Sequence, residues 1–138
     1  MQNIEIREYQ EYNEEEILSL YTSVGWSNYY EKPEMLRQAY AHSLCILGAY
    51  VNHLLVGTVR AVGDGHSILY IQDIIVLPDY QRQGIGSLLL KAVLEKYDNV
   101  YQKVLLTENQ PDTVKFYKSI GFHTADKYNC VCFVNFTV

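Results

Sequence analysis

The 138-residue sequence carries 11 Lys and Arg against 16 Asp and Glu, a net charge of −5, and is 49% hydrophobic. That length suits one domain with a full core, and the acidic balance argues against a general nucleic-acid binder, which needs a basic face. The apolar runs are too short for a membrane span, the N-terminus lacks a signal-peptide pattern, and three cysteines without clustered histidines suit free thiols in a cytoplasmic protein rather than a metal site.

Ile4 and Ile6 alternate with charged neighbours and predict a first strand. Glu14, Glu15 and Glu16 open a helix over 14–23, with an apolar stripe of Ile17, Leu18, Leu20 and Tyr21, and Gly25 ends it. The connection that follows is aromatic, with Trp26, Tyr29 and Tyr30. Pro33 starts a second helix over 33–42 whose Met35, Leu36 and Tyr40 are expected to face inward. Strands over 44–51 and 54–62 are joined at Asn52-His53, a tight hairpin turn. The loop Gly63-Asp64-Gly65-His66 leads to a strand over 67–77, rich in β-branched residues and ended by Pro78. A helix over 84–97 follows, then an apolar strand over 100–107, a helix over 111–119 capped by Gly121, and two closing strands over 122–126 and 129–138. Cys130 and Cys132 share a face of the last strand and are expected to pack. The order β-α-α-β-β-β-α-β-α-β-β mixes hairpins with helical crossovers, which calls for a mixed α/β sheet with helices on both faces.

The informative stretch is Ile71 to Leu90. Gly84 and Gly86 sit between a strand and a helix, where free N–H groups and the positive end of the helix dipole favour a phosphate. A Walker loop is excluded because no lysine follows Gly86 before Lys91, and a dinucleotide fingerprint is excluded because the third glycine would fall at Leu89. What remains, Gln81-x-x-Gly84-x-Gly86 after a strand ending Val76-Leu77-Pro78, resembles the acetyl-CoA signature of the GNAT superfamily of N-acetyltransferases. A second block, Asn109-x₆-Phe116-Tyr117-x₃-Gly121-Phe122, resembles the family's helix beside the thiol end of the cofactor. The element order is also that of the GNAT acyl-CoA N-acyltransferase fold, so the resemblance covers residues 1–138 as a single domain.

The resemblance implies an acetyl-CoA-dependent acyltransferase, with no metal, acting on a primary amine of a small molecule or peptide by direct attack in a ternary complex. It implies that Ile74, Ile75 and Val76 offer backbone groups to the pantetheine arm, as an added strand would. It implies that Gln81, Arg82, Gln83, Gly84, Ile85, Gly86 and Ser87 bind the pyrophosphate, that Asn109 and Phe116 contact the arm, and that Tyr117 donates to the departing sulfur. Asp73 is the first candidate for assisting the amine, Asp64 the second and His66 the third, because Tyr70 or Gln72 stands where many relatives carry a glutamate. Trp26, Tyr29 and Tyr30 are candidates for an aromatic wall around the acceptor. The run Arg60 to Gly65, with Gln72 to Val76, also resembles the arylalkylamine branch. A non-catalytic CoA-binding or protein-interaction module on the same fold stays open, as does a homodimer formed through the alternating C-terminal strand.

Overall fold

The computed structural model describes residues 3–137. In chain order the elements are β1 (Ile4–Glu8), α1 (Glu14–Ser23), α2 (Ser27–Tyr30), α3 (Pro33–Ala41), β2 (Cys45–Val51), β3 (Leu54–Gly63), β4 (Ile68–Val76), α4 (Ile85–Lys96), β5 (Gln102–Leu105) and α5 (Pro111–Ser119). Two 3-10 turns, Pro78–Tyr80 and Ala125–Tyr128, complete the set. The chain divides into two compact units, Met1–Leu106 and Thr107–Val138.

In the first unit the five strands form one sheet in the order β1-β2-β3-β4-β5, antiparallel up to β4 and parallel between β4 and β5. The hairpin between β2 and β3 turns on Asn52 and His53, with φ of 50° and 67°. Positive φ at both central positions gives the turn whose twist matches the flanking strands. Asn13 caps α1 by accepting the Glu16 N–H at 3.0 Å, and the acidic first turn complements the dipole. Helices α1 and α3 bury Ile17, Leu20, Tyr21, Leu36 and Tyr40 against Leu55 and Ile75 of the sheet. Met35 departs from expectation: it is 43% exposed, because the buried pair Leu36 and Tyr40 at i and i+4 sets the inward face and leaves its neighbour outside. Helix α4 lies across β1 to β4 on the other face with Ile85, Leu89, Leu90 and Val93 buried. Gly57 makes room there, since a Cβ on it would stand 3.3 Å from Leu89 Cδ1.

The second unit begins with α5. Its C-terminus is a Schellman motif: the Phe122 N–H donates to Tyr117 C=O and the Gly121 N–H to Lys118 C=O, both at 3.1 Å, with Gly121 at φ 104°. The two closing strands of the sequence reading are not formed. Residues 122–126 run into the 3-10 turn, which Asn129 ends at φ 58°, and residues 129–137 take no regular structure. An alternating apolar pattern identifies faces that want burial, but a strand also needs a ladder partner, and among the described residues this stretch pairs with none. Cys130 and Cys132 are accordingly exposed rather than packed. Val138 lies outside the described residues.

Gly63 closes β3 at φ 133°, and a Cβ there would stand 2.4 Å from the Ile68 carbonyl oxygen. Gly63→Ala is therefore expected to lower the urea midpoint by the equivalent of about 1–3 kcal/mol with an unchanged slope.

Candidate functional site

The site grows out of one extra residue. Across the β3–β4 ladder Arg60 faces Asp73 and Ala61 faces Ile71, so Gln72 is a bulge with no partner on β3. A bulge bends its strand and increases the local twist. Correspondingly, β5 pairs with β4 only from Ile68 to Ile71. From Gln72 to Val76, among the described residues, β4 has β3 on one side and no strand on the other. Alternate residues there turn their N–H and C=O toward the open side, so within Ile74, Ile75 and Val76 only part of the backbone is presented to an extended ligand.

That edge runs directly into the glycine loop. Leu77 N–H donates to Val56 C=O at 2.8 Å, and the 3-10 turn Pro78–Tyr80 reverses the chain. Arg82 takes φ 63° and Gly84 φ 82°, two left-handed residues spaced by Gln83. Such alternation points successive N–H groups into one concavity. Gly84 caps α4 with no side-chain bond, so the first N–H groups of the helix, through Ile85, Gly86 and Ser87, have no capping partner among the described residues. A Cβ on Gly84 would meet nothing within 4 Å. Gln81, Arg82, Gln83 and Gly84 are exposed, whereas Ile85 is buried and anchors the helix start. One group is already engaged: Gln81 Nε2 donates to Val76 C=O at 3.0 Å.

Asp73, the first candidate base, is 2% exposed and Arg60 beside it 5%. Its Oδ2 accepts from Arg60 Nε at 2.7 Å, Arg60 Nη2 at 2.7 Å and Tyr21 Oη at 2.7 Å. Tyr21 and Tyr40 hydroxyls stand 3.0 Å apart, and Arg60 Nη1 reaches Ser43 Oγ at 3.3 Å. Burial drives the Tyr21 hydroxyl far above its ordinary pKa and pushes Tyr40 up to about 12, so both stay protonated as donors. The guanidinium loses solvation, yet Asp73 and the two tyrosines hold its pKa above the usual value. Asp73 thus sits inside a charge pair, not on a surface that an amine can reach. Arg60, Tyr21 and Tyr40 went unassigned in the sequence; a lone arginine inside an apolar strand, which needs an anionic partner when buried, was the available signal.

Gln72 Nε2 donates to Tyr29 Oη at 2.9 Å, tying the bulge to α2. Tyr29 lies 5.2 Å and Trp26 6.1 Å from the Tyr21 ring, centroid to centroid. The aromatic residues therefore rest on the buried network, and Trp26, Tyr29 and Tyr30 each keep part of their surface exposed. Asp64 spends its carboxylate on its own turn, accepting from the N–H groups of His66, Ser67 and Ile68 at 2.8, 2.7 and 3.0 Å and from Ser67 Oγ at 2.5 Å. These bonds, the Ser67 hydroxyl first, hold its pKa well below the carboxylate range. His66 is exposed.

In the second unit, Asn109 is exposed in the approach to α5. Phe116 and Tyr117 are half-buried on α5 with ring centroids 5.0 Å apart, and Phe122 meets Tyr117 at 6.1 Å. Burial raises the Tyr117 hydroxyl above its ordinary pKa. Among the described residues no group of acidic, histidine or cysteine side chains is arranged to hold a metal ion, and no helix is long and apolar enough to cross a membrane.

Comparison with known proteins gives a consistent picture. The family model described as an acetyltransferase (GNAT) domain matches residues 8–137. The solved structure of a GNAT family acetyltransferase from Streptococcus pneumoniae is 43% identical, covers 98% of each chain and superposes with a TM-score of 0.88. The PaiA N-acetyltransferase of Thermoplasma acidophilum, solved in complex with coenzyme A, is 20% identical, covers 88% of this chain and 91% of that one, and shares the fold with a TM-score of 0.71. The uncharacterized N-acetyltransferase ycf52 of Pyropia yezoensis is 29% identical over 112 residues, which is 78% of this chain. The chain spans 63% of that relative's length.

Removing the Asp73 carboxylate leaves a buried guanidinium unpaired. Asp73→Ala is expected to cost about 3–5 kcal/mol in denaturant unfolding, and the double variant Asp73→Leu with Arg60→Met to recover most of that loss. Asp64 has the depressed pKa of a carboxylate bonded in the fold, so its contribution is present above the ordinary carboxylate range and lost as pH falls through its own lower value. The amide signals of His66, Ser67 and Ile68 are expected to hold through the ordinary carboxylate range and to move only below it.

Proposed function

This chain belongs to the GNAT acetyltransferase family, whose members generally transfer acetyl groups from acetyl-CoA, and from that premise we propose that it moves an acetyl group from acetyl-CoA to the primary amine of a small molecule. The observation that carries the proposal is the unpaired edge of β4 over 72–76 leading into an uncapped helix N-terminus at Gly84. Acetyl-CoA fits that feature in kind. Bare main-chain N–H groups at the positive end of α4 suit a diphosphate, and the missing side chain of Gly84 leaves space for close approach. The cosubstrate supplies an activated thioester; the chain's own groups hold and polarise it. Ile74, Ile75 and Val76 bind the arm through the backbone, Gln81 to Ser87 hold the diphosphate, and an N–H near Ile75 or Val76 polarises the carbonyl. Asn109 and Phe116 contact the arm.

Tyr117 donates a hydrogen bond to the departing sulfur. It is not the proton source. Even at ordinary values, transfer from tyrosine at about 10 to a thiolate at about 8.5 is uphill by roughly 2 kcal/mol, and burial raises Tyr117 further. The acceptor amine meets no carboxylate base in this reading, because Asp73 is engaged by Arg60 and Tyr21 and Asp64 by its own turn. An alkylamine must then arrive neutral, at a penalty of about 4–5 kcal/mol at neutral pH, and give up its proton to water. Trp26, Tyr29 and Tyr30 border the acceptor. The same engagement of Asp73, with an amide at Gln72, favours a second reading, a module on this fold that binds CoA without turning it over.

Calorimetric titration with acetyl-CoA and a free-thiol assay over a panel of amines separate the two. Gly84→Glu is expected to weaken acetyl-CoA binding at least 100-fold, and unchanged affinity would remove the assigned loop. Tyr117→Phe is expected to lower kcat about 10–100-fold, the worth of one hydrogen bond to a charged group, with acetyl-CoA affinity held. The rate should climb with pH toward the pKa of the free amine without an inflection in the carboxylate or histidine range. Tight binding with no thiol release on any amine would leave the second reading.

A further inference from the structure

We infer that Gln72, with its side chain held by Tyr29, anchors the acceptor nitrogen, and that this uncharged anchor selects an arylamine over an alkylammonium. The inference rests on the proposed reaction and names the substrate class of the same site. Gln72 is the bulge residue, so no neighbour on β3 shares its position, and it is half-buried. Its Nε2 donates to Tyr29 Oη at 2.9 Å. That bond uses one donor of the amide and one lone pair of the phenol. Among the described residues Gln72 Oε1 has no hydrogen-bond partner. Were the amide turned over, Tyr29 would donate to it and the phenol oxygen would be left to accept. Either arrangement fixes the side chain and leaves one uncharged acceptor at the bulge.

The charges around this pair cancel. Asp73, the next residue on β4, is joined to Arg60 of β3 at 2.7 Å, and both are buried. Tyr21 from α1 donates to the same carboxylate and Tyr40 from α3 meets Tyr21, and burial keeps both hydroxyls protonated. On α3, Glu34 and Arg37 bond to each other. Glu31 and Lys32, after α2, are exposed and opposite in sign. Burial first, then Asp73, raise the Tyr29 hydroxyl above its ordinary pKa, against Gln72 and Arg60. No phenolate therefore forms there to pair with a cation.

An alkylammonium brings three charged N–H donors and no lone pair. Against one amide oxygen it leaves two donors and a full charge unmatched, which a half-buried site disfavours. The ring faces of Trp26, Tyr29 and Tyr30 offset this by only a few-fold in affinity. An arylamine is a weak base because its lone pair is shared with the ring, so it arrives neutral. It gives one N–H to the oxygen and keeps its lone pair for the thioester. Its ring suits the tilted packing of Trp26 and Tyr29, whose centroids lie 6.2 Å apart at 43°. Only about one alkylamine in a few thousand is neutral at pH 7, given a pKa near 10.4. An arylamine needs no such deprotonation, which fits a site whose carboxylates, Asp73 and Asp64, are already engaged. As the C–N bond forms the C–S bond breaks. Its electron pair leaves on sulfur as the coenzyme A thiolate, and the nitrogen releases its proton to water.

The test is titration of the full chain, with coenzyme A present, against two isomers of one formula, para-toluidine and benzylamine. The first is neutral at pH 7 and the second protonated. Calorimetry reads binding, and the free-thiol assay with acetyl-CoA reads turnover. Para-toluidine is expected to bind about tenfold tighter at pH 7, and benzylamine to gain affinity as pH rises toward its own pKa. Gln72→Leu should weaken para-toluidine about 5–10-fold, the worth of one hydrogen bond. Gln72→Glu should reverse the order of the two isomers, because a carboxylate pairs with the ammonium. If these variants do not fold, as read by circular dichroism, the pH series on the wild-type chain decides. Benzylamine bound equally or more tightly at pH 7, neither isomer bound, or an order unchanged by Gln72→Glu overturns the inference. Selective binding of para-toluidine without thiol release supports the anchor and removes the proposed reaction. Thiol release with benzylamine bound in preference to para-toluidine removes the anchor and keeps the reaction.

Discussion

Gln72 has no partner across the sheet, and that single uncompensated residue sets the rest of the site. Up to Ile71, β4 is an ordinary interior strand, hydrogen-bonded to β3 and β5 at once. Past the bulge it turns away from β5 and exposes backbone groups that a regular sheet would have satisfied internally. Buried backbone groups demand partners, so an open stretch in the middle of a sheet is stable only where solvent or a ligand reaches it. The same distortion delivers the chain to Pro78 and the glycine loop, which places an uncapped helix start in line with the open edge. Open strand edge, turn and helix N-terminus thus follow one another directly along the chain.

The bulge does not stand alone. Asp73, its next neighbour, is held by Arg60 and Tyr21, and Gln72 itself is tied to Tyr29. Buried ion pairs add little net stability when balanced against desolvation, but they are expensive to break once formed. Here the pair links β3, β4, α1 and, through Tyr40, α3. Trp26 and Tyr29 stack against the Tyr21 ring, so two of the residues proposed to border the acceptor share a foundation with the bulge. The proposed acceptor side and cosubstrate side meet at adjacent positions in β4, Gln72 and Asp73.

Much of this was legible from local chemistry. The glycines at 84 and 86 could be placed at a helix mouth because a β-branched run, a proline and an apolar period bracket them, and Asn52-His53 could be read as a turn because few other residues tolerate positive φ. The alternation in 129–138 was equally plain, yet it carried the wrong inference: period records which faces want burial, and ladder partners are a property of the whole assembly. Asp73 needed the same kind of non-local information. A carboxylate on the central strand looks catalytic until its neighbour across the ladder is known, and register between Arg60 and Asp73 depends on a bulge that no local pattern in 67–77 announces. Met35 went outward because an interval of four, not hydrophobicity alone, chose the inward face of α3.

The amide of Gln81 already sits on the Val76 carbonyl. A carbonyl oxygen carries two lone pairs, so one acceptor position remains there for a donor arriving along β4. The strand end and the start of the glycine loop are thereby stitched through a single oxygen, and the geometry of one follows the other.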